Sequence, residues 1–215
     1  MIKGAIFDAD GTLLDSMHIW DEVGERYLRS KGKTPEDDLY KVLFPMTLEE
    51  SSVYLKAHYG LDESPEEIKA GVLAIIDGFY RDEVDLKAGV KDYLEHLHQK
   101  GIRMAVATTS DQGQINAAFT RLDIRKYFQD IYTCSELQTS KREATIYLNA
   151  AEALGVIPSE VLVFEDVLYA VKTAKAAGFY TVAIEDAASA DKKGEIKKNA
   201  DLYIQDFTDP SLKRI

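Results

Sequence analysis

Six short apolar runs punctuate the chain: Ile2 to Phe7, Arg103 to Ala107, Ile131 to Thr133, Val161 to Phe164, Tyr180 to Ile184 and Leu202 to Ile204. They are rich in β-branched residues and lack polar alternation, which predicts strands buried on both faces. The segments between them follow a helical period. Val90, Tyr93, Leu94 and Leu97 share one stripe ahead of Gly101, which suits a C′ position. Asp111 stands where an N-cap belongs, with Gln114 three residues on and Ile115, Ala118, Phe119 and Leu122 as the apolar face. Further helices are predicted after Lys141 and from about Leu168 to Gly178. Strand and helix alternate, so the fold class is α/β, a Rossmann-like core with a parallel sheet.

One interval breaks the alternation. Roughly ninety residues separate the first two strands, where a crossover needs only about a dozen. Ile19, Trp20, Val23, Tyr27 and Leu28 recur at helical spacing, as do Ile68, Val72, Ile75 and Phe79. Ser64, Pro65 and Glu67 supply an N-cap, an N1 proline and a capping-box acid for the last of these helices. The pattern predicts an inserted α-helical cap domain over residues 18–82, with the core domain formed by 1–17 and 83–215. Hinges are expected near Asp15 to Met17 and Asp82 to Leu86, so that the insertion can close over the core. Trp20 is assigned to the apolar stripe of its helix, and Tyr27, Tyr54 and Tyr59 are assigned to the core in the same way.

Composition narrows the functional classes. With 215 residues and 46% hydrophobic content, the chain can build a core domain and a small second module. Its net charge of −11 repels polyanions, so neither nucleic acid nor an anionic membrane surface is an expected partner. A lone cysteine, Cys134, excludes an intrachain disulfide framework and fits a reducing compartment. No apolar segment is long enough to span a bilayer, and the Ile2 to Phe7 run does not read as a signal peptide, so a cytoplasmic address is expected. Oligomeric state is not encoded in any recognisable pattern, and a monomer is compatible with the sequence.

Ligands of open α/β sheets gather beyond the carboxyl ends of the strands, and those ends carry the chain's reactive groups. Asp8, Ala9, Asp10, Gly11 and Thr12 follow the first strand, and Thr108, Thr109 and Ser110 follow the second. Lys141 lies beyond the third, and Glu165 and Asp166 close the fourth. Asp8 and Asp10 are spaced so that one carboxylate attacks while the other moves protons. An attacking carboxylate and a phosphate dianion repel, which calls for a cation between them. Glu165 and Asp166, hard oxygen ligands few in number, suit Mg²⁺ better than Zn²⁺. Lys141 would offset the remaining negative charge, and the Thr108 hydroxyl would donate to a phosphoryl oxygen.

Each element alone has a plainer explanation. Asp-x-Asp-Gly makes a turn, a Glu-Asp pair caps a helix, and a lone lysine is solvated. Four strand ends with complementary groups, beside an insertion placed to cover them, point to phosphoryl transfer. His96 and His98 face different directions on one helix and do not share a metal, and His18 and His58 have no assigned role. No serine-hydrolase elbow, dinucleotide fingerprint, P-loop or paired C-x-x-C is present.

With these residues in view, the chain resembles the haloacid dehalogenase superfamily, in the branch similar to β-phosphoglucomutase and phosphoglycolate phosphatase. The run Ile6 to Thr12 (IFDADGT) looks like that family's first motif, Thr108 its second, Lys141 its third, and the VFED run ending in Glu165 and Asp166 its fourth. The resemblance implies a Mg²⁺-dependent phosphatase acting on a small phosphorylated metabolite through an aspartyl phosphate. Asp8 would be the nucleophile and Asp10 the acid and base, with Asp8, the Asp10 backbone carbonyl, Glu165 and Asp166 on the metal.

Mutases of this branch carry a basic pair in the cap's substrate loop, where Leu43 to Ser51 has Phe44, Pro45 and Leu48, so hydrolysis is expected over isomerisation. Phe44 and Met46 would favour a leaving group with apolar surface. Arg142, Val167 and Ala170 depart from the Pro, Ser or Thr, and Gly that relatives carry. Val167 and Ala170 keep open a catalytically silent regulator that retains the pocket, and Val167 removes a hydrogen bond that could orient the metal ligands.

Overall fold

A computed structural model describes residues 1–214, in which six strands form one wholly parallel sheet in the order β3-β2-β1-β4-β5-β6. They are β1 Gly4–Phe7, β2 Arg103–Thr108, β3 Phe128–Thr133, β4 Val161–Glu165, β5 Tyr180–Ile184 and β6 Leu202–Ile204. The Rossmann-like α/β class is therefore the observed one. Strand order reverses on either side of β1, which pairs with β2 and β4, and the reversal opens a crevice at the carboxyl ends. Edge strand β3 begins three residues earlier than its apolar run suggests. Gln129 and Asp130 are exposed there, and a strand with one neighbour tolerates polar side chains that a central strand would not.

The chain divides into two compact units, Met1–Ser16 with Val84–Ile215, and Met17–Glu83. In the second unit lie α1 His18–Ser30, α2 Leu39–Leu43, α3 Leu48–Tyr59 and α4 Pro65–Gly78, followed by a π-helical turn, Phe79–Glu83. Ser64 and Glu67 make the reciprocal capping box at the start of α4, and Thr47 and Glu50 make a second one at α3. Each such cap contributes about 1 kcal/mol. On α4 the buried stripe is Ile68, Val72 and Ile76, with Ile75 only half-buried.

Three aromatic assignments need correction. Tyr27 is buried, but Trp20 is 47% exposed and Tyr54 and Tyr59 are half-buried. The buried line of α1 runs through Ile19, Val23 and Tyr27 at intervals of one helical turn, and Trp20 lies one step, about 100°, off that line.

In the first unit lie α5 Val90–Gln99, α6 Gln112–Arg121, α7 Thr145–Ala153, α8 Leu168–Ala176 and α9 Lys193–Asn199. One face of the sheet packs a layer of Ile6, Val161 and Val163 against Ile146, Tyr147 and Ala150 of α7. On the other face Phe7 stacks on Phe164 with centroids 4.4 Å apart, and Tyr93 and Phe207 close over them. Burial of each such ring contributes about 1.5–3 kcal/mol. Among the described residues, no helix is long and apolar enough to cross a membrane.

Gly89 caps α5 at φ +79°, where an added Cβ would lie 2.7 Å from the Phe207 carbonyl carbon and 2.8 Å from the Thr208 nitrogen. Neither backbone atom can rotate aside. Gly89→Ala is therefore expected to destabilise the fold by more than about 2 kcal/mol. A urea titration reads this as a lower midpoint, and an unchanged midpoint would show that the 207–208 backbone yields freely.

Candidate active site

The position of the acids follows from strand alternation. Gly4, Ile6 and Asp8 share one side of the chain leaving β1, and Val161, Val163 and Glu165 share the same side of β4. That side is the one covered by α7 and the segment before it, from which Lys141 arrives. The Asp8 amide donates to the Phe164 carbonyl at 3.0 Å and so extends the β1–β4 pairing by one step into the crevice.

Asp8, Lys141, Glu165 and Asp166 converge and are buried. The Lys141 ammonium donates to Asp8 Oδ1 and lies 2.7 Å from Glu165 Oε1. Oxygens of Asp8, Glu165 and Asp166 all lie within 4.8 Å of one another. Among the described residues no hydrogen bond engages Asp8 Oδ2 or either Asp166 oxygen, and Glu165 Oε2 is buried without a partner. Three carboxylates therefore face one ammonium in a dry site, an arrangement that costs stability unless a further cation joins it.

Electrostatics records the same conflict. Burial, then the neighbouring Glu165 and Asp10, push Asp8 up to about 7 against the pull of Lys141. Burial, with Asp8 and Glu165 close by, holds Asp166 well above the usual carboxylate range. For Lys141, burial acts downward, yet Asp8 and Glu165 together keep its ammonium above the ordinary lysine value. Two carboxyls that resist ionisation, together with an orphaned buried oxygen, fit a divalent cation.

A second group stands beside the first. Thr108, the buried last residue of β2, accepts the Ser110 amide at 3.0 Å, which leaves its hydroxyl proton to donate elsewhere. The Ser110 hydroxyl donates to Asp10 Oδ2 at 2.5 Å and the Ser16 hydroxyl to Asp10 Oδ1 at 2.6 Å. The Asp10 carboxylate is thus not among the three that converge, and Thr108 makes no hydrogen bond to Asp8 or Lys141. Gly11 turns the loop at φ +77°, and a Cβ there would lie 2.6 Å from Asp166 Oδ2.

Sequence patterns assign no role to Ser16, Ser110 or Tyr147, whose hydroxyls hold Asp10 and Glu165 in place. Tyr147 donates to Glu165 Oε1 at 2.8 Å. Nor do they reveal the part-buried pair of Lys87 and Asp186, at 2.7 Å, next to Gly11. Ser110 stood at a strand end, the one signal available for any of them. Of the departures noted above, Arg142 lies over the Tyr169 ring at 4.5 Å, and Ala170 is buried in the first turn of α8.

Residues 5–184 match the family model of the haloacid dehalogenase-like hydrolases. The chain belongs to this family. A phosphorylated carbohydrates phosphatase of Thermotoga maritima is 30% identical over 82% of each chain. The validoxylamine A 7′-phosphate phosphatase of Streptomyces hygroscopicus subsp. limoneus is 28% identical, covering 97% of this chain and 96% of its own. A Thermotoga maritima crystal structure provisionally described as a β-phosphoglucomutase superposes with a TM-score of 0.84 at 28% identity, over 94% of each chain. As a haloacid dehalogenase-like hydrolase, the chain is an enzyme, its two curated relatives named here are phosphatases, and its buried acidic cluster could hold a metal.

Proposed function

We propose that this hydrolase is a phosphatase of small phosphorylated metabolites, working through an aspartyl phosphate on Asp8. Sugar phosphates come first among its substrates, with nucleotides and organic acid phosphates behind them. The observation that carries the reading is the Lys141 ammonium seated between Asp8 and Glu165, beside an acidic cluster with unused oxygens. The names of the Thermotoga and Streptomyces relatives support the substrate class.

Mg²⁺ would be held by Asp8, Glu165 and Asp166 with the Asp10 backbone carbonyl, and would there offset the repulsion between the Asp8 carboxylate and the phosphoryl oxygens. Lys141 holds Oδ1 of Asp8, so Oδ2 is the oxygen that attacks phosphorus. An ammonium has three N–H donors. Two meet carboxylates here, and the third is available to a phosphoryl oxygen together with the Thr108 hydroxyl. Asp10, its oxygens directed by Ser16 and Ser110, protonates the departing alkoxide. It then takes a proton from water as that water attacks phosphorus, which releases inorganic phosphate and restores Asp8.

The second unit would act as the cap that sets the leaving group. Within it Trp20, Phe44, Met46, Leu48 and neighbours line a cavity of about 460 Å³. Phe44 is 83% exposed and Met46 half-buried, so neither belongs to that unit's own core. Both support a substrate with some apolar surface.

Purified protein with Mg²⁺ is expected to release inorganic phosphate from several sugar phosphates, ranked by kcat/KM across a broad phosphate panel. An isomerised sugar phosphate formed without free phosphate would replace this reading with a phosphomutase. No turnover on any panel member, with stabilisation by Mg²⁺ and a phosphate analogue, would replace it with a silent regulator.

A further inference from the structure

Glu165 is held by more than the lysine it shares with Asp8. Tyr147, in the first turn of α7, is fully buried and donates its hydroxyl to Glu165 Oε1 at 2.8 Å. The same oxygen lies 2.7 Å from Lys141 Nζ, so one carboxylate oxygen takes both anchors and the other, Oε2, is buried with none. The phenol ring is itself fixed. It packs among Ile146, Ala150 and Val163 and meets Phe179 edge-on, with centroids 6.2 Å apart and planes at 61°.

The choice of a phenol has an electrostatic consequence. A second ammonium or a guanidinium at this place would cancel the negative charge that three carboxylates and one lysine leave over. A neutral hydroxyl orients the carboxylate without cancelling that charge. It also competes with Lys141 for Oε1, which keeps the ammonium from settling on Glu165 alone and so leaves it on Asp8. Without the hydroxyl, the carboxylate is free to turn about its last bond and offer both oxygens to Lys141.

We propose that Tyr147 is a positioning residue of the cation site: its hydroxyl locks Glu165 so that Oε2 faces the place a divalent ion would take, while Lys141 stays shared with Asp8. This rests on the reading of Asp8, Glu165 and Asp166 as the metal ligands. Partners that orient metal ligands in this way change affinity by about 10–100-fold when removed.

The test is Tyr147→Phe, which keeps the ring and its packing and deletes only the hydroxyl. Mn²⁺ binding to wild type and variant, followed by electron paramagnetic resonance of the free ion, is expected to show affinity weakened by at least about tenfold. The Mg²⁺ concentration for half-maximal turnover should rise by a similar factor. KM for the phosphate ester at saturating Mg²⁺ should stay within about threefold of wild type, because the Tyr147 hydroxyl touches Glu165 and not the substrate. In a Glu165→Gln background, adding Tyr147→Phe should produce no further loss of Mn²⁺ affinity, since the two residues act as one unit. A lower melting temperature with Mn²⁺ affinity within twofold of wild type would make Tyr147 a packing residue only and overturn the proposal while leaving the metal reading intact. Wild-type protein that binds no Mn²⁺ would overturn both.

Discussion

Asp8→Asn is expected to lower phosphate release by at least about four orders of magnitude, the scale on which removal of a nucleophile acts in enzymes that proceed through a covalent intermediate. The amide is nearly the same shape, so Lys141 keeps its contact with Glu165 at 2.7 Å and the β1–β4 pairing through the Asp8 amide persists. The variant should fold, and without metal it should be at least as stable as wild type, because one of three crowded buried carboxyls has been neutralised. It should also still bind substrate, visible as retention of a phosphate ester at Mg²⁺ concentrations that support wild-type turnover. Turnover within tenfold of wild type would exclude Asp8 as nucleophile. Loss of both turnover and folding would instead mean that the site is a structural ion-pair network.

Withdrawal of divalent metal is expected to abolish turnover and to make stability depend on pH. The folded-state Asp8 carboxyl titrates near 7, above its ordinary 3.8, because burial and its acidic neighbours favour the protonated form. A carboxyl raised on folding stabilises the metal-free protein fully below its unfolded value, and this contribution is lost as pH rises through about 7. Asp166, also raised, acts in the same direction. The interval from 3.8 to about 7 corresponds to a few kcal/mol, so Tm in EDTA should fall by about 10 °C between pH 5 and pH 8. With saturating Mg²⁺ the positive charge replaces the proton, and the fall should disappear. Differential scanning fluorimetry in the two buffers checks this. A Tm that is flat across the range in EDTA and matches the Mg²⁺ series would show that these carboxyls are not in electrostatic conflict.

What could be read from the chain, and what could not, divides along physical lines. Tyr180–Ile184 and Leu202–Ile204 were readable to the residue, since strands buried in a parallel sheet are unbroken apolar runs. Phe128–Asp130 was not, because an edge strand may carry Gln129 and Asp130 outward without penalty. Asp8, Thr108, Lys141, Glu165 and Asp166 stood out because each follows or ends such a run. Ser16 and Tyr147 did not, and Ser110, though it follows a strand, gave no sign of its partner Asp10, since the direction of a hydroxyl is decided by tertiary neighbours from distant segments. Tyr147 reads as one more apolar face residue on α7, and only the packed structure shows its oxygen reaching Glu165. Trp20 illustrates the opposite error. Helical spacing fixes an angular position only to within about 100° per residue, too coarse to separate the edge of a buried stripe from its centre.

Because side chains switch sides at every step along a strand, Asp8 and Glu165 meet only through parity: each sits an even number of residues from a core-facing neighbour, Ile6 and Val163. Losing or gaining one residue within β1 would swing the acid toward the Phe7 and Phe207 layer and silence the enzyme, whereas the connections outside the strands are under no such arithmetic. Length variation that leaves the chemistry alive is therefore confined to loops or comes in pairs inside the two central strands.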